Sequence, residues 1–74
     1  MRPFERKIEI LKILHYRKKE TIRNLANEFG VSMRTIRRDI EEISLRFPVY
    51  TVQGKYNGGI YLMDEAPIDY SILQ

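Results

Sequence analysis

In "VSMRTIRRDI", residues 31–40, three arginines fall within five positions: Arg34, Arg37 and Arg38. A guanidinium is permanently charged and planar, and its fork of N–H donors matches a carboxylate, a phosphate or the O6/N7 edge of guanine. Ser32 and Thr35 add hydroxyls that can bond phosphate or base edges, and the Thr35 methyl can instead meet a thymine methyl. Other chemistry is poorly supplied. His15 is the only histidine and sits near the end of an apolar segment, where a packed or surface role is the common one. Glu41 and Glu42 are adjacent, so on a helix they diverge by about 100°. No nucleophile with a base and no metal-ligand set emerges. The absence of cysteine removes disulfides and thiolate metal sites. The expectation is a protein that is not an enzyme and holds neither cofactor nor metal.

Whether the arginines are a solvated face or a presented surface depends on the elements that carry them. Ser32 is placed to cap a helix that runs from Met33 to about Arg46 and stops before Pro48, because a residue preceding proline is pushed out of the helical region. Val31 and Ile36 suit a hydrophobic staple around that cap. Ile36, Ile40, Ile43 and Phe47 share one face. With Ile36 at zero and about 100° per residue, Arg37 lies near 100°, Arg34 near 160° and Arg38 near 200°. Arg34 and Arg38 therefore point farthest from the core, and Arg37 sits nearer its edge, with a phosphate contact and an ion pair to Glu41 as equal alternatives. Asp39, about 60° from the core centre, is read as an intramolecular partner for a basic side chain.

Upstream, Phe4 to about Tyr16 is predicted as a first helix whose apolar residues Phe4, Ile8, Ile10, Leu11, Ile13 and Leu14 exceed one stripe, so it should pack on two sides. Thr21 is a plausible cap for a short second helix carrying Ile22, Leu25, Ala26 and Phe29, and Gly30 supplies its left-handed stop. Helix, tight turn and helix are thus specified locally. In such a unit the second helix enters the major groove through its N-terminal half, here Ser32, Met33, Arg34, Thr35, Arg37 and Arg38. After Pro48, "VYTVQ" and "GIYLM" read as two strands joined by "GKYNGG". Lys55 and Tyr56 would occupy the tip of this wing, where they can reach the sugar-phosphate backbone or the minor groove. The pattern leaves open which strand residues face inward.

Seventy-four residues suffice for one small domain. The formal net charge is +3, but Asp64, Glu65 and Asp69 lie beyond the wing, so residues 1–63 carry thirteen basic and seven acidic side chains, a net of +6. A field of that sign draws polyanions. Nothing approaches the roughly 20 apolar residues of a membrane span, and the first residues lack a secretory pattern. A soluble cytoplasmic protein with no membrane partner is expected.

The run "LANEFGVSMRTIRRDIEEI" resembles the N-terminal domain of DeoR-type transcription regulators, including their "VS..TIRRD" core, and the likeness spans most of residues 5–63. "FPVYTVQGKYNGGIYL" is similar to the wing of these proteins and of related regulators with a WYL domain. Its turn is about one residue longer than their glycine-rich form, and Lys55 stands where arginine is common. The resemblance implies a winged helix-turn-helix, mainly α with a two-stranded hairpin, that binds operator DNA, commonly as a homodimer. It gives Ser32, Thr35, Arg37 and Arg38 a DNA-facing role and Lys55 a backbone one. It also implies that an effector ligand is not to be expected in this chain, since such regulators bind theirs in a further domain. Residues 1–63 are accordingly read as a winged helix-turn-helix DNA-binding domain, and 64–74 as an acidic C-terminal tail or the start of a further segment. The competing reading is a protein-interaction module, in which the hairpin or the apolar Ile68, Tyr70, Ile72 and Leu73 dock a partner.

Overall fold

The computed structural model describes residues 1–54 and 58–63. In chain order these form α1 (Pro3–Arg17), β1 (Lys19–Glu20), α2 (Ile22–Phe29), α3 (Met33–Ser44), β2 (Val49–Val52) and β3 (Gly59–Leu62). The expected helices and hairpin are present, with one addition. The short strand β1 pairs antiparallel with β3, so the wing belongs to a three-stranded sheet of order β1-β3-β2. The fold is a winged helix-turn-helix with a larger sheet than the two-stranded wing anticipated.

Local chemistry accounts for the helix ends. Pro3 opens α1, where its missing N–H leaves no bond unmade and its fixed φ suits the first turn. At the other end Lys18 takes φ 70°, and its N–H reaches Leu14 O at 2.9 Å. That sparsely populated conformation costs a side-chain-bearing residue on the order of 1–3 kcal/mol, but it turns the chain directly into β1. Thr21 caps α2 by accepting the Asn24 N–H on Oγ1 at 3.1 Å. Gly30 ends the helix at φ 66°, and the N–H of Val31 closes back on Ala26 O at 3.1 Å. Ser32 then caps α3, accepting the Thr35 N–H on Oγ at 3.1 Å. The α3 helix stops at Ser44, two residues before the anticipated Arg46. From there Leu45 and Arg46 bond the carbonyls of Glu42 and Ile43 in a tighter turn, which brings Phe47 under the core before Pro48 redirects the chain.

The core joins Ile10, Leu11 and Leu14 of α1 to Leu25 and Ala26 of α2, to Ile36, Ile40 and Ile43 of α3, and to Phe47, Val49, Ile60 and Leu62. The α1 helix packs on α3 and on strands β1 and β3, as its broad apolar surface required. Its first turn departs from expectation, since Phe4 remains 45% exposed. The sidedness of the hairpin is resolved by register. Val49 opposes Leu62, both buried, and Thr51 opposes buried Ile60 on the same face while remaining exposed itself. Tyr50 and Tyr61 pair on the outer face with rings stacked at 5.4 Å, and Lys19 Nζ lies 5.7 Å from the Tyr61 ring centre.

Two further features fix where α3 and the wing stand. Asp39 is buried, and Arg6 reaches across from α1 with a two-pronged bond, Nε to Oδ2 at 2.5 Å and Nη2 to Oδ1 at 3.1 Å. Beside it Lys7 pairs with Glu42. The intramolecular partner expected for Asp39 is thus Arg6. At the wing base, a Cβ on Gly58 would stand 2.1 Å from the Gly54 carbonyl oxygen, so only glycine lets the two strand ends approach this closely. Among the described residues no helix is long and apolar enough to cross a membrane.

Candidate nucleic-acid interface

The α3 helix has an inner face of Ile36, Asp39, Ile40 and Ile43, all buried, and an outer face on which Arg34, Arg37 and Arg38 are exposed. Because Asp39 is gripped by Arg6 while the isoleucines fill the core, the roll of α3 about its own axis is set from within. Among the described residues, none of the three arginines forms an ion pair. The pairing of Arg37 with Glu41, one of the two alternatives for that arginine, is therefore not made. The two residues do line shared clefts, a shallow one with Arg34 and Arg38 and a second between α3 and β2.

Most acidic groups are engaged elsewhere. Among the described residues, five of the seven carboxylates of residues 1–63 sit in ion pairs: Glu9 with Lys12, Glu20 and Glu28 with Arg17, Asp39 with Arg6, and Glu42 with Lys7. The hydrogen bond to Asp39 holds the Arg6 guanidinium above its already high pKa, so it stays charged under all ordinary conditions. Burial works against ionisation of Glu20, yet hydrogen bonds from Asn24, Arg17 and the Thr21 N–H outweigh it and lower its pKa. For Glu42 the hydrogen bond from Lys7 leads the lowering, and the more distant charge of Arg38 adds to it.

The hydroxyls at the start of α3 are partly engaged. Ser32 Oγ and Thr35 Oγ1 lie 3.0 Å apart, and Ser32 Oγ also accepts the Thr35 N–H. One hydroxyl proton serves the bond between them, which leaves one for an outside acceptor such as a phosphate oxygen. The first duty of Ser32 is the cap. Met33 is at the margin of exposure and turns toward the wing.

Arg37 stands at a junction. With Arg23 of α2, Met33, Thr51 and Gln53, it lines a cleft of ≈ 340 Å³ between the start of α2, the start of α3 and the base of the wing. A neighbouring cleft of ≈ 300 Å³ lies between α3 and β2, and there Arg37 is accompanied by Glu41 and Tyr50. Arg23 and Gln53 did not emerge from the sequence as candidates. Only the folding of α2 against the wing brings them together, although a lone arginine in the first turn of the helix preceding α3 was a usable sign. Lys55 and Tyr56, the expected wing contacts, lie outside the described residues. The glycines on either side of them in the chain, Gly54 and Gly58, line the cleft beside Met33 and Arg37.

Among the described residues, α3 thus has a back anchored in the core and a cationic front that makes no ion pair, with the base of the wing at its shoulder. A family model described as an HTH domain matches residues 6–61, which takes in most of α1, the whole of α2 and α3, and reaches into β3. No match was found among curated proteins or among solved structures.

Proposed function

The chain belongs to the HTH domain family, and from that premise we propose that it binds double-stranded DNA in a sequence-specific way and acts in transcription regulation, as its resemblance to DeoR-type regulators suggests. The observation that carries this reading is the exposed set Arg34, Arg37 and Arg38, unpaired among the described residues, on a helix whose opposite face is locked by the core and by Asp39. In this reading the N-terminal half of α3 lies in the major groove. Arg34 and Arg38 reach base edges, each good bidentate pair with guanine contributing about 1–3 kcal/mol of discrimination. The hydroxyl left over between Ser32 and Thr35 bonds a phosphate or a base edge. Met33 packs at the border of groove and wing, and Lys55 and Tyr56 reach the backbone or the minor groove.

Selection of preferred duplexes from a random pool tests this directly, with titration of the winners at several salt concentrations. Affinity should fall with salt with a log-log slope of about −0.9 per phosphate contacted. Binding indifferent to salt, or a pool that shows no preference, would overturn the reading. Paired half-sites about one helical turn apart, together with a doubled protein mass in the complex, would identify a homodimer.

A second reading has one observation in its favour. The stacked Tyr50–Tyr61 pair on the outer sheet face leaves Tyr50 46% exposed, which suits the docking of a protein partner against the hairpin. Recovery of a partner after nuclease treatment, abolished by Tyr50→Ala, would favour it.

A further inference from the structure

The ≈ 340 Å³ cleft between α2, α3 and the wing is lined by two arginines, Arg23 and Arg37, and by no acidic residue among its described lining. Neither arginine has an ion-pair partner among the described residues. The adjacent ≈ 300 Å³ cleft differs in its lining, which includes the acidic Glu41 as well as Arg37. Two like charges bordering one open cleft repel each other, and a shared anion removes that repulsion while using donors from both forks. Gln53, on the far wall, offers an amide that can donate to the same anion, and Thr51 adds a hydroxyl.

Resting on the DNA-binding reading, we infer that this cleft is a phosphodiester seat: Arg23 from α2 and Arg37 from α3 hold one backbone phosphate of the strand that passes between α3 and the wing, with Gln53 as a third donor. Arg37 is thereby separated from its neighbours in the "RR" pair. Arg38 faces the groove, and Arg37 grips the strand at its rim. The seat fixes how deeply α3 enters, because it joins the element before the turn to the element that reads. It carries no sequence information itself.

The test uses a duplex chosen by the selection above and a series in which single backbone phosphates are replaced by neutral methylphosphonates. Arg23→Ala and Arg37→Ala should each lower affinity for every duplex by the same factor, and the double substitution should make the salt slope shallower by about 0.9, the contribution of the one phosphate they share. By the same slope, the loss at 0.1 M salt should be about eightfold larger than at 1 M. Neutralising one particular phosphate should abolish the effect of both substitutions, whereas it should leave the effect of Arg34→Ala intact. If Arg37→Ala changes which sequences are preferred, or if no single neutralised phosphate cancels both substitutions, the seat is overturned while DNA binding stands. If the unaltered protein binds no duplex, the DNA-binding reading itself fails, and the seat with it. Inorganic phosphate at matched ionic strength should compete only weakly. Displacement of the duplex by millimolar inorganic phosphate would instead assign the cleft to a free anion and overturn the backbone role.

Discussion

Arg6 and Arg37 both lie against α3, and the fold treats them in opposite ways. Arg6 comes from α1 and is closed into a two-pronged bond with buried Asp39. Arg37 belongs to α3 itself and borders open clefts without an ion-pair partner among the described residues. The same side chain thus serves as a rivet on one side of the helix and as an unfilled valence on the other. The difference arises from where the carboxylates were placed. Asp39 and Glu42 are paired with Arg6 and Lys7 of α1, and Glu41 lines a cleft with the outer arginines without an ion pair among the described residues. Stability is therefore expected to depend on one side of α3 and recognition on the other.

The largest effect should come from breaking the rivet. Arg6→Ala leaves the buried Asp39 carboxylate without its partner and should cost about 3 kcal/mol of stability, the lower end for a buried pair because Arg6 lies nearer the surface than Asp39. Arg34→Ala should change stability by less than about 0.5 kcal/mol. Denaturant midpoints for the two variants decide the matter, and similar losses would erase the contrast between the two faces. On the recognition side, Arg34→Ala or Arg38→Ala should each forfeit about 2 kcal/mol of discrimination between preferred and altered duplexes with the fold intact. Competition binding reads this, and an undiminished preference would remove that arginine from the set of base readers.

Ser32 sharpens the comparison because it belongs to both sides. As a cap it should contribute about 1 kcal/mol, so Ser32→Ala should lower stability by that amount and Ser32→Gly by only a few tenths. If Ser32→Gly nevertheless binds DNA much more weakly, the hydroxyl acts beyond the cap. The smallest effect concerns pH. Because the pKa of Glu20 is lowered in the fold, its contribution is complete above the ordinary glutamate range and is lost as pH falls below about 4.3 and through the lowered value. The stability gap between the native chain and Glu20→Gln should be present at neutral pH and shrink on acidification. A gap of constant size would show that the Arg17–Glu20–Asn24 contacts are not linked to that ionisation.

What the sequence made legible was mostly local. Thr21, Gly30 and Ser32 announce their roles because a cap or a stop involves residues three to five apart, and the outward direction of the arginines follows from helical repeat alone. That Asp39 needed a cationic partner could be read from its angle. That the partner is Arg6 could not, since 33 positions separate them. Strand β1 was hidden for a related reason. Lys19 and Glu20 have no strand-like run around them, and they become a strand only because β3 lies alongside. The hairpin's sidedness was ambiguous because Tyr50 and Val52 are as strand-compatible as Val49 and Thr51, and the polar Thr51 shares the inward set. Arg23 and Gln53 became candidates only when the packing of α2 brought them to the cleft edge.

The pairing of β1 with β3 also bears on how the chain assembles. The contacts of α2, the turn and α3 are short in sequence, whereas Lys19 must meet Tyr61 and Glu20 must meet Ile60 across nearly the whole domain. Loop-closure entropy sets such a contact late, after the helices have docked. A substitution that weakens this two-residue ladder should therefore quicken unfolding far more than it slows folding. Strand β1 is then a latch in the kinetic sense, governing how long the folded state lasts more than how fast it is reached.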